Sequence, residues 1–254
     1  MILAVDIGNS FVSFGVFEGS ELKQTFAYPT EDIVAPISPD SLFEVFKTLT
    51  DITTAAIASV VPEATEEVKR LLAAAFPSAT IVLIRNSNIP MVNQYHQPDR
   101  LGTDRLLGAL AAYQYYSKEA QRPAIIVDLG TATTYDCITT NGEYLGGIIA
   151  LGISSTMHAL SAAASQLPEV TLQFPPSVLG KTTEESIQSG IFFGALTSLE
   201  GLIDRLQKEA FAGEKPIVIA TGGHSSIIKD HTSIIDHYDP HLVLRGILMA
   251  AISL

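Results

Sequence analysis

Two stretches decide the fold: Ile2-Leu3-Ala4-Val5-Asp6-Ile7-Gly8-Asn9-Ser10 and, with its Asp-x-Gly 122 positions later, Ile125-Ile126-Val127-Asp128-Leu129-Gly130-Thr131-Ala132-Thr133-Thr134. Each is a short apolar run that stops at Asp-x-Gly and continues into small polar residues. A run of that length closed by a glycine turn reads as a buried strand. After the first, Phe11, Ser13, Gly15 and Phe17 alternate with Val12, Phe14 and Val16, which predicts a second strand. Glu18-Gly19-Ser20 is a turn signal, and a third strand runs to about Tyr28. After the second, Tyr135 to Thr140 is the next strand, Asn141-Gly142 marks a hairpin, and Glu143 to Ala150 is the third. Asp6 falls on Asp128, Gly8 on Gly130 and Glu21 on Glu143, so the chain reads as two copies of one β-β-β opening.

Helical patterns follow each opening. Beyond Pro62, residues Ala64, Val68, Leu71, Leu72 and Ala75 recur at helical spacing, as do Leu106, Leu107, Leu110 and Tyr113. In the second half Thr182-x-x-Glu185 resembles a capping box. It opens a long helix with Ile187, Ile191, Ala195, Leu199, Leu202 and Leu206 on one broad stripe. Gly190, Gly194 and Gly201 weaken that helix intrinsically and suit a face that another helix approaches, such as a dimer interface. Ile217 to Thr221 is a buried-type strand ending at Gly222-Gly223. The polar segment Ser117 to Arg122 separates the halves, so two domains are expected, 1–117 and 118–254.

Composition limits the function classes. With 47% hydrophobic and 17% charged residues, a chain of 254 residues can bury a substantial core, which disordered chains cannot. The formal net charge of −12 and the lack of a Lys/Arg cluster argue against nucleic acid as a direct partner. An anionic small substrate would need backbone N–H groups, a few Lys/Arg or a bound cation. Cys137 is the sole cysteine, which excludes an intramolecular disulfide and a cysteine-built zinc site. Met1 to Val5 is stopped by Asp6 and has no basic lead, so it reads as a strand and not a signal peptide. No apolar run approaches the roughly 20 residues that span a bilayer. These features lead us to expect a cytoplasmic protein without a membrane partner.

The glycine turns suggest phosphate chemistry. Glycine lets backbone N–H groups approach phosphate oxygens, an Asp at a strand end holds a cation or its waters, and Ser/Thr hydroxyls add contacts. Both Asp-x-Gly loops carry that set, although a pair of plain β-turns would also fit either loop alone. Gly180-Lys181-Thr182 imitates the end of a P-loop, but Pro175 stands where its first glycine belongs. In Leu101-Gly102-Thr103-Asp104-Arg105, Thr103 is expected to cap the next helix and place Asp104 in its first turn. There the helix dipole favours an ionised carboxylate, for plain helix stability or for orienting a hydroxyl. Thr221-Gly222-Gly223 is either a ligand-binding strand end or an ordinary turn. The six histidines show no ligand spacing; His237 and His241 are four apart but Pro240 interrupts them.

The ordered set of motifs resembles the type III pantothenate kinases, of the actin, sugar kinase and Hsp70 ATPase superfamily. It comprises Asp6-Ile7-Gly8-Asn9-Ser10 with Phe14-Gly15, Ser59-Val60-Val61-Pro62, Tyr95-x-x-Pro98-x-x-Leu101-Gly102-x-Asp104-Arg105, Asp128-x-Gly130-Thr131-Ala132-Thr133-Thr134, Tyr144-Leu145-Gly146-Gly147, Ser189-Gly190 and Thr221-Gly222-Gly223. The resemblance implies an α/β fold of two ribonuclease-H-like domains, each a mixed five-stranded sheet with flanking helices. It implies a homodimer and the phosphorylation of pantothenate by ATP to 4'-phosphopantothenate, the first step toward coenzyme A. It also implies Mg2+ and a monovalent cation, K+ or NH4+.

By position, the resemblance makes Asp6, Ile7, Gly8, Asn9, Ser10, Phe11, Val12 and Ser13 the first phosphate-binding loop, and Thr131 a further ATP contact. Asp104 becomes the general base. Tyr95, Gly102, Thr103, Asp104, Arg105 and Thr183 become the pantothenate contacts, and Asp128 the monovalent-cation ligand. Thr221-Gly222-Gly223 would lie near the adenosine. Four positions depart from the usual pattern: Ser10 for Thr, Thr103 for a small apolar residue, Thr182 for Asn, and Leu151 for the Pro before Gly152. None removes a proposed chemical group. A kinase of another hydroxyl compound, or a catalytically silent regulatory relative, would share the same fold.

Overall fold

A computed structural model describes residues 1–35, 40–164 and 167–254. β1 (Ile2–Ile7) pairs antiparallel with β2 (Phe11–Glu18), which pairs with β3 (Glu21–Pro29). β4 (Thr54–Ser59) and β5 (Thr80–Leu83) then add in parallel, giving the order β3-β2-β1-β4-β5. Parallel neighbours need a crossover. α1 (Thr30–Val34) and α2 (Asp40–Thr48) lie in the connection from β3 to β4, and α3 (Pro62–Ala75) in that from β4 to β5. α4 (Thr103–Ala112) runs into a π-helical turn, Tyr113–Ser117, and then the short α5 (Lys118–Ala120).

The second sheet repeats this plan. β6 (Ala124–Leu129), β7 (Ala132–Ile138) and β8 (Tyr144–Leu151) form the antiparallel opening. α6 (Ile153–Ala163) and α7 (Thr183–Ala210) precede β9 (Ile217–Thr221), and α8 (Ser225–Ile228) precedes β10 (His237–Tyr238). Read from β8, the order is β8-β7-β6-β9-β10, the same as in the first sheet. Two mixed five-stranded sheets of one topology, each with flanking helices, make the fold a pair of ribonuclease-H-like domains. The repeat extends to detail: each copy has a bulge in its second strand pair, at Val16/Phe17 and at Cys137/Ile138.

By contacts the chain divides into two units, Met1–Ala111 with His241–Leu254, and Ala112–Pro240. α9 (Leu242–Ile252) therefore belongs with the first unit, whereas a cut after residue 117 would group it with the second. It packs on β1 and β4, and Gly246 passes so close to α4 that a Cβ would stand 2.1 Å from the Leu107 carbonyl oxygen.

The first core centres on Phe14, Phe46, Val68 and Leu72, with Phe26 stacked on Phe14 at 4.8 Å between ring centroids. The second sets Ile187, Ile191, Phe192, Leu199 and Ile203 of α7 against Ile125, Val127 and Leu129 of β6. Full burial of one such side chain contributes about 1.5–3 kcal/mol. Exposed helix pairs such as Lys47–Glu44 contribute only about 0.3–0.5 kcal/mol. Burial therefore decides the fold.

Capping at α7 is half of what the sequence predicts. The Thr182 hydroxyl accepts from the Glu185 N–H at 3.1 Å, but the Glu185 carboxylate accepts from the Lys181 N–H at 2.7 Å, one residue before the expected partner. Gly190, Gly194 and Gly201 have nothing within 4 Å of where a Cβ would stand, so no described residue of this chain uses the space they leave.

Candidate active site

The first Asp-x-Gly turn is closed by its own backbone. The Gly8 N–H donates to the Phe11 carbonyl at 3.0 Å, and Thr30, nearly fully buried, ties the turn from below. Thr30 donates from its N–H to the Ser10 carbonyl at 2.9 Å and from its hydroxyl to the Gly8 carbonyl at 2.7 Å. The Gly8 and Ser10 carbonyls and the Gly8 N–H are thus used within the turn. Asn9, Ser10 and Phe11 are exposed, and Asp6 and Ser13 are half-buried partners across the β1–β2 ladder. Ile7 and Val12 are fully buried in the core, so only their backbone can meet a ligand.

The Gly102 segment follows a 3-10 turn at Pro98–Arg100 and is anchored by buried Leu101. Thr103 is the first helical residue of α4 and not its cap, which corrects the sequence expectation. The Asp104 carboxylate instead meets an N-terminal amide, accepting from the Arg105 N–H at 2.9 Å. This suits an anionic side chain at the positive end of a helix. Gly102 makes the room for it: a Cβ there would stand 2.4 Å from Asp104 Oδ1. Gly102, Thr103, Asp104, Arg105 and Tyr95 are all half-buried, and the Tyr95 N–H donates to Asn93 Oδ1 at 2.9 Å. A groove of about 650 Å³ runs between the ends of β4 and β5 and this segment, with Ser59, Val60, Asn86, Leu101 and Thr103 in its walls. The Val60 N–H donates to the Ile7 carbonyl at 3.1 Å, so the groove also borders the first Asp-x-Gly strand.

In the second unit the Gly130 N–H donates to the Ala132 carbonyl at 3.1 Å. This turn is one residue shorter than the first, where Gly8 reaches Phe11. Three glycines crowd it. Gly222 has φ +86°, and a Cβ there would stand 2.3 Å from Asp128 Oδ1 and 2.7 Å from the Leu129 backbone. A Cβ on Gly152 would stand 2.3 Å from the Gly130 and Thr131 carbonyl oxygens, and one on Gly130 would stand 3.3 Å from Asp128 Oδ1. Asp128 thus ends β6 in a cradle that side chains at either neighbouring glycine would fill. Thr131 is exposed at the turn, and its carbonyl accepts from the Gly152 N–H at 3.2 Å and the Ser155 hydroxyl at 2.7 Å.

His224 adds a strut that spacing did not reveal. Its N–H donates to the Leu129 carbonyl at 3.0 Å and its Nδ1 lies 3.3 Å from the same oxygen. A carbonyl can only accept, so Nδ1 carries the proton and Nε2 accepts from the Ser154 hydroxyl at 2.8 Å. This fastens the Thr221-Gly222-Gly223 strand end to the second loop. Thr183, the first residue of α7, is exposed and belongs to the second unit, unlike the other residues expected to contact pantothenate.

Among the described residues no three His, Cys, Asp or Glu side chains group as a metal centre. Single carboxylates at strand ends suit Mg2+, which keeps several waters and takes its remaining ligands from phosphates. Among the described residues no helix is long and apolar enough to cross a membrane.

Residues 2–205 match the family model of type III pantothenate kinase. A type III pantothenate kinase of Moorella thermoacetica is 37% identical over 252 residues, covering 97% of each chain. One from Symbiobacterium thermophilum is 38% identical over 259 residues, covering 97% of this chain and 94% of its own. One from Frankia alni is 34% identical over 253 residues, covering 97% of each. A Baf family protein of Campylobacter jejuni, known from its crystal structure, is similar with a TM-score of 0.63 at 20% identity, over 98% of this chain and 97% of that one. At that identity the likeness is one of fold.

Proposed function

The chain belongs to the type III pantothenate kinase family, and from that premise we propose how its residues divide the transfer of a phosphoryl group from ATP to pantothenate. The observation that carries the reading is the Asp104 carboxylate, held at the first turn of α4 in the space left by Gly102. The primary hydroxyl oxygen of pantothenate bonds to the γ-phosphorus as the bond to the β–γ bridging oxygen breaks. ADP leaves, and the hydroxyl proton passes to Asp104. Early in a loose transition state little proton abstraction is needed, so a carboxylate suffices to orient the nucleophile.

Exposed Asn9 and Ser10, carried on the turn that Gly8 makes, hold the ATP phosphates with the hydroxyls of Ser10 and Ser13, and Thr131 adds a contact. Ile7, Phe11 and Val12 fix the loop's backbone. Asp6 holds Mg2+ or its waters, and bound Mg2+ neutralises charge on the phosphates. Asp128 in its glycine cradle binds the monovalent cation, K+ or NH4+. Tyr95, Gly102, Thr103 and Arg105 position pantothenate, with Thr183 as a further contact, and Thr221-Gly222-Gly223 faces the adenosine.

The enzyme works as a cytoplasmic homodimer. The unused space at Gly190 and Gly194, beside the strongly exposed Val178 and Leu179, is the support for a second copy on α7. Each glycine weakens the helix by about 1 kcal/mol relative to alanine, which a close helix approach would offset.

The test is a coupled ADP-release assay with Mg·ATP, pantothenate and either K+ or NH4+, run beside a panel of other hydroxyl compounds. Phosphopantothenate should form, and faster with the monovalent cation than without. No product with either cation overturns the reading, and faster turnover of another acceptor reassigns the substrate.

A further inference from the structure

Asn86 sits in the 3-10 turn just after β5, far in sequence from Asp104. Its side-chain amide donates twice, to the Pro98 carbonyl at 2.9 Å and to the Leu101 carbonyl at 2.7 Å. Both acceptors are carbonyls, so the amide cannot be turned over without setting oxygen against oxygen. That orientation leaves Asn86 Oδ1 buried without a hydrogen-bond partner. A buried acceptor with no donor weakens the fold. What the amide gains is control of backbone: it brackets the Pro98–Leu101 turn at both ends. The Leu101 carbonyl lies in the same rigid peptide plane as the Gly102 nitrogen. Fixing that plane fixes the start of the segment in which Gly102 makes room for the Asp104 carboxylate.

We propose that Asn86 is a positioning residue for the acceptor half of the reaction, aiming the Gly102–Arg105 segment through the Leu101 carbonyl. The proposal rests on the assignment of that segment to pantothenate and its base. It predicts selectivity: loss of the Asn86 donors disturbs pantothenate and not the nucleotide, since both donors go to the Pro98–Leu101 turn.

Asn86→Asp keeps the shape and turns an oxygen toward both carbonyls; Asn86→Ala removes the group without adding repulsion. In both, kcat/KM for pantothenate should fall about 10- to 100-fold, while ADP affinity measured by calorimetry holds within about twofold. Hydrogen exchange of the amides at 101–106 in the unliganded protein should quicken about tenfold, with those of β1 and β4 unchanged. Wild-type kinetics and exchange in both variants would overturn the proposal. So would protection lost evenly across the first unit together with weaker ADP binding, the mark of a purely structural residue. If the wild-type protein does not phosphorylate pantothenate, the functional reading falls, and the exchange comparison alone still decides whether Asn86 holds the segment.

Discussion

Gly102 and Gly222 show how the atom that a new Cβ would meet sets the outcome of a substitution. At Gly102 it is the end of the Asp104 side chain, which can swing away. Gly102→Ala should therefore lower kcat about 10- to 100-fold with little change in thermal midpoint. Asp104→Asn should keep the fold and ATP binding and lose about 10²- to 10⁴-fold in turnover; near-wild-type turnover would remove Asp104 from the base role. At Gly222 the new atom meets fixed Leu129 backbone at a left-handed φ. Gly222→Ala should destabilise by about 1–3 kcal/mol, read from denaturant unfolding. In the sequence both glycines look alike, each beside polar residues. The Gly102–Asp104 relation was only half legible: spacing put Asp104 in a first helical turn, but made Thr103 the cap. A helix starts where the backbone turns, and the buried Leu101 and the Asn86 amide set that point, neither of which a local pattern encodes.

At the scale of elements, α7 carries the clearest test. Gly194→Ala fills open space on a single chain and should stabilise the isolated helix by up to about 1 kcal/mol. If a second copy packs there, a larger group such as in Gly194→Leu should shift a dimer toward monomer in sedimentation velocity. An unchanged dimer would move the interface elsewhere. The two β-β-β openings and their repeat were legible because period-two alternation and Gly turns are local signals, whereas β4, β5 and β10 were not read from the sequence. The one-residue shortening of the second turn was not. Asp6 and Asp128 align 122 positions apart, but the bulges at Val16 and Cys137 are 121 apart. Hydrogen-bond register counts every residue, whereas a hydrophobic pattern tolerates the slip.

For the molecule as a whole, alkaline stability should depend on Tyr135. Burial pushes its phenol above the ordinary value of 10.0, against a smaller opposing effect of a hydrogen bond with Ser198. A raised folded-state value means the contribution is full below the unfolded value and is lost as pH rises through the folded one. Tyr135→Phe should flatten the fall in thermal midpoint above about pH 10, and an identical fall would contradict this. The return of α9 to the first unit was not legible, because an apolar helix does not announce which sheet it covers; Gly246 against Leu107 decides it. That return has a consequence for synthesis. A ribosome releases residues in order, so all of Ala112–Pro240 emerges before the helix that covers β1 and β4 exists. The first half to be made is the last that can close, and until then its bare sheet face is a natural client for a chaperone.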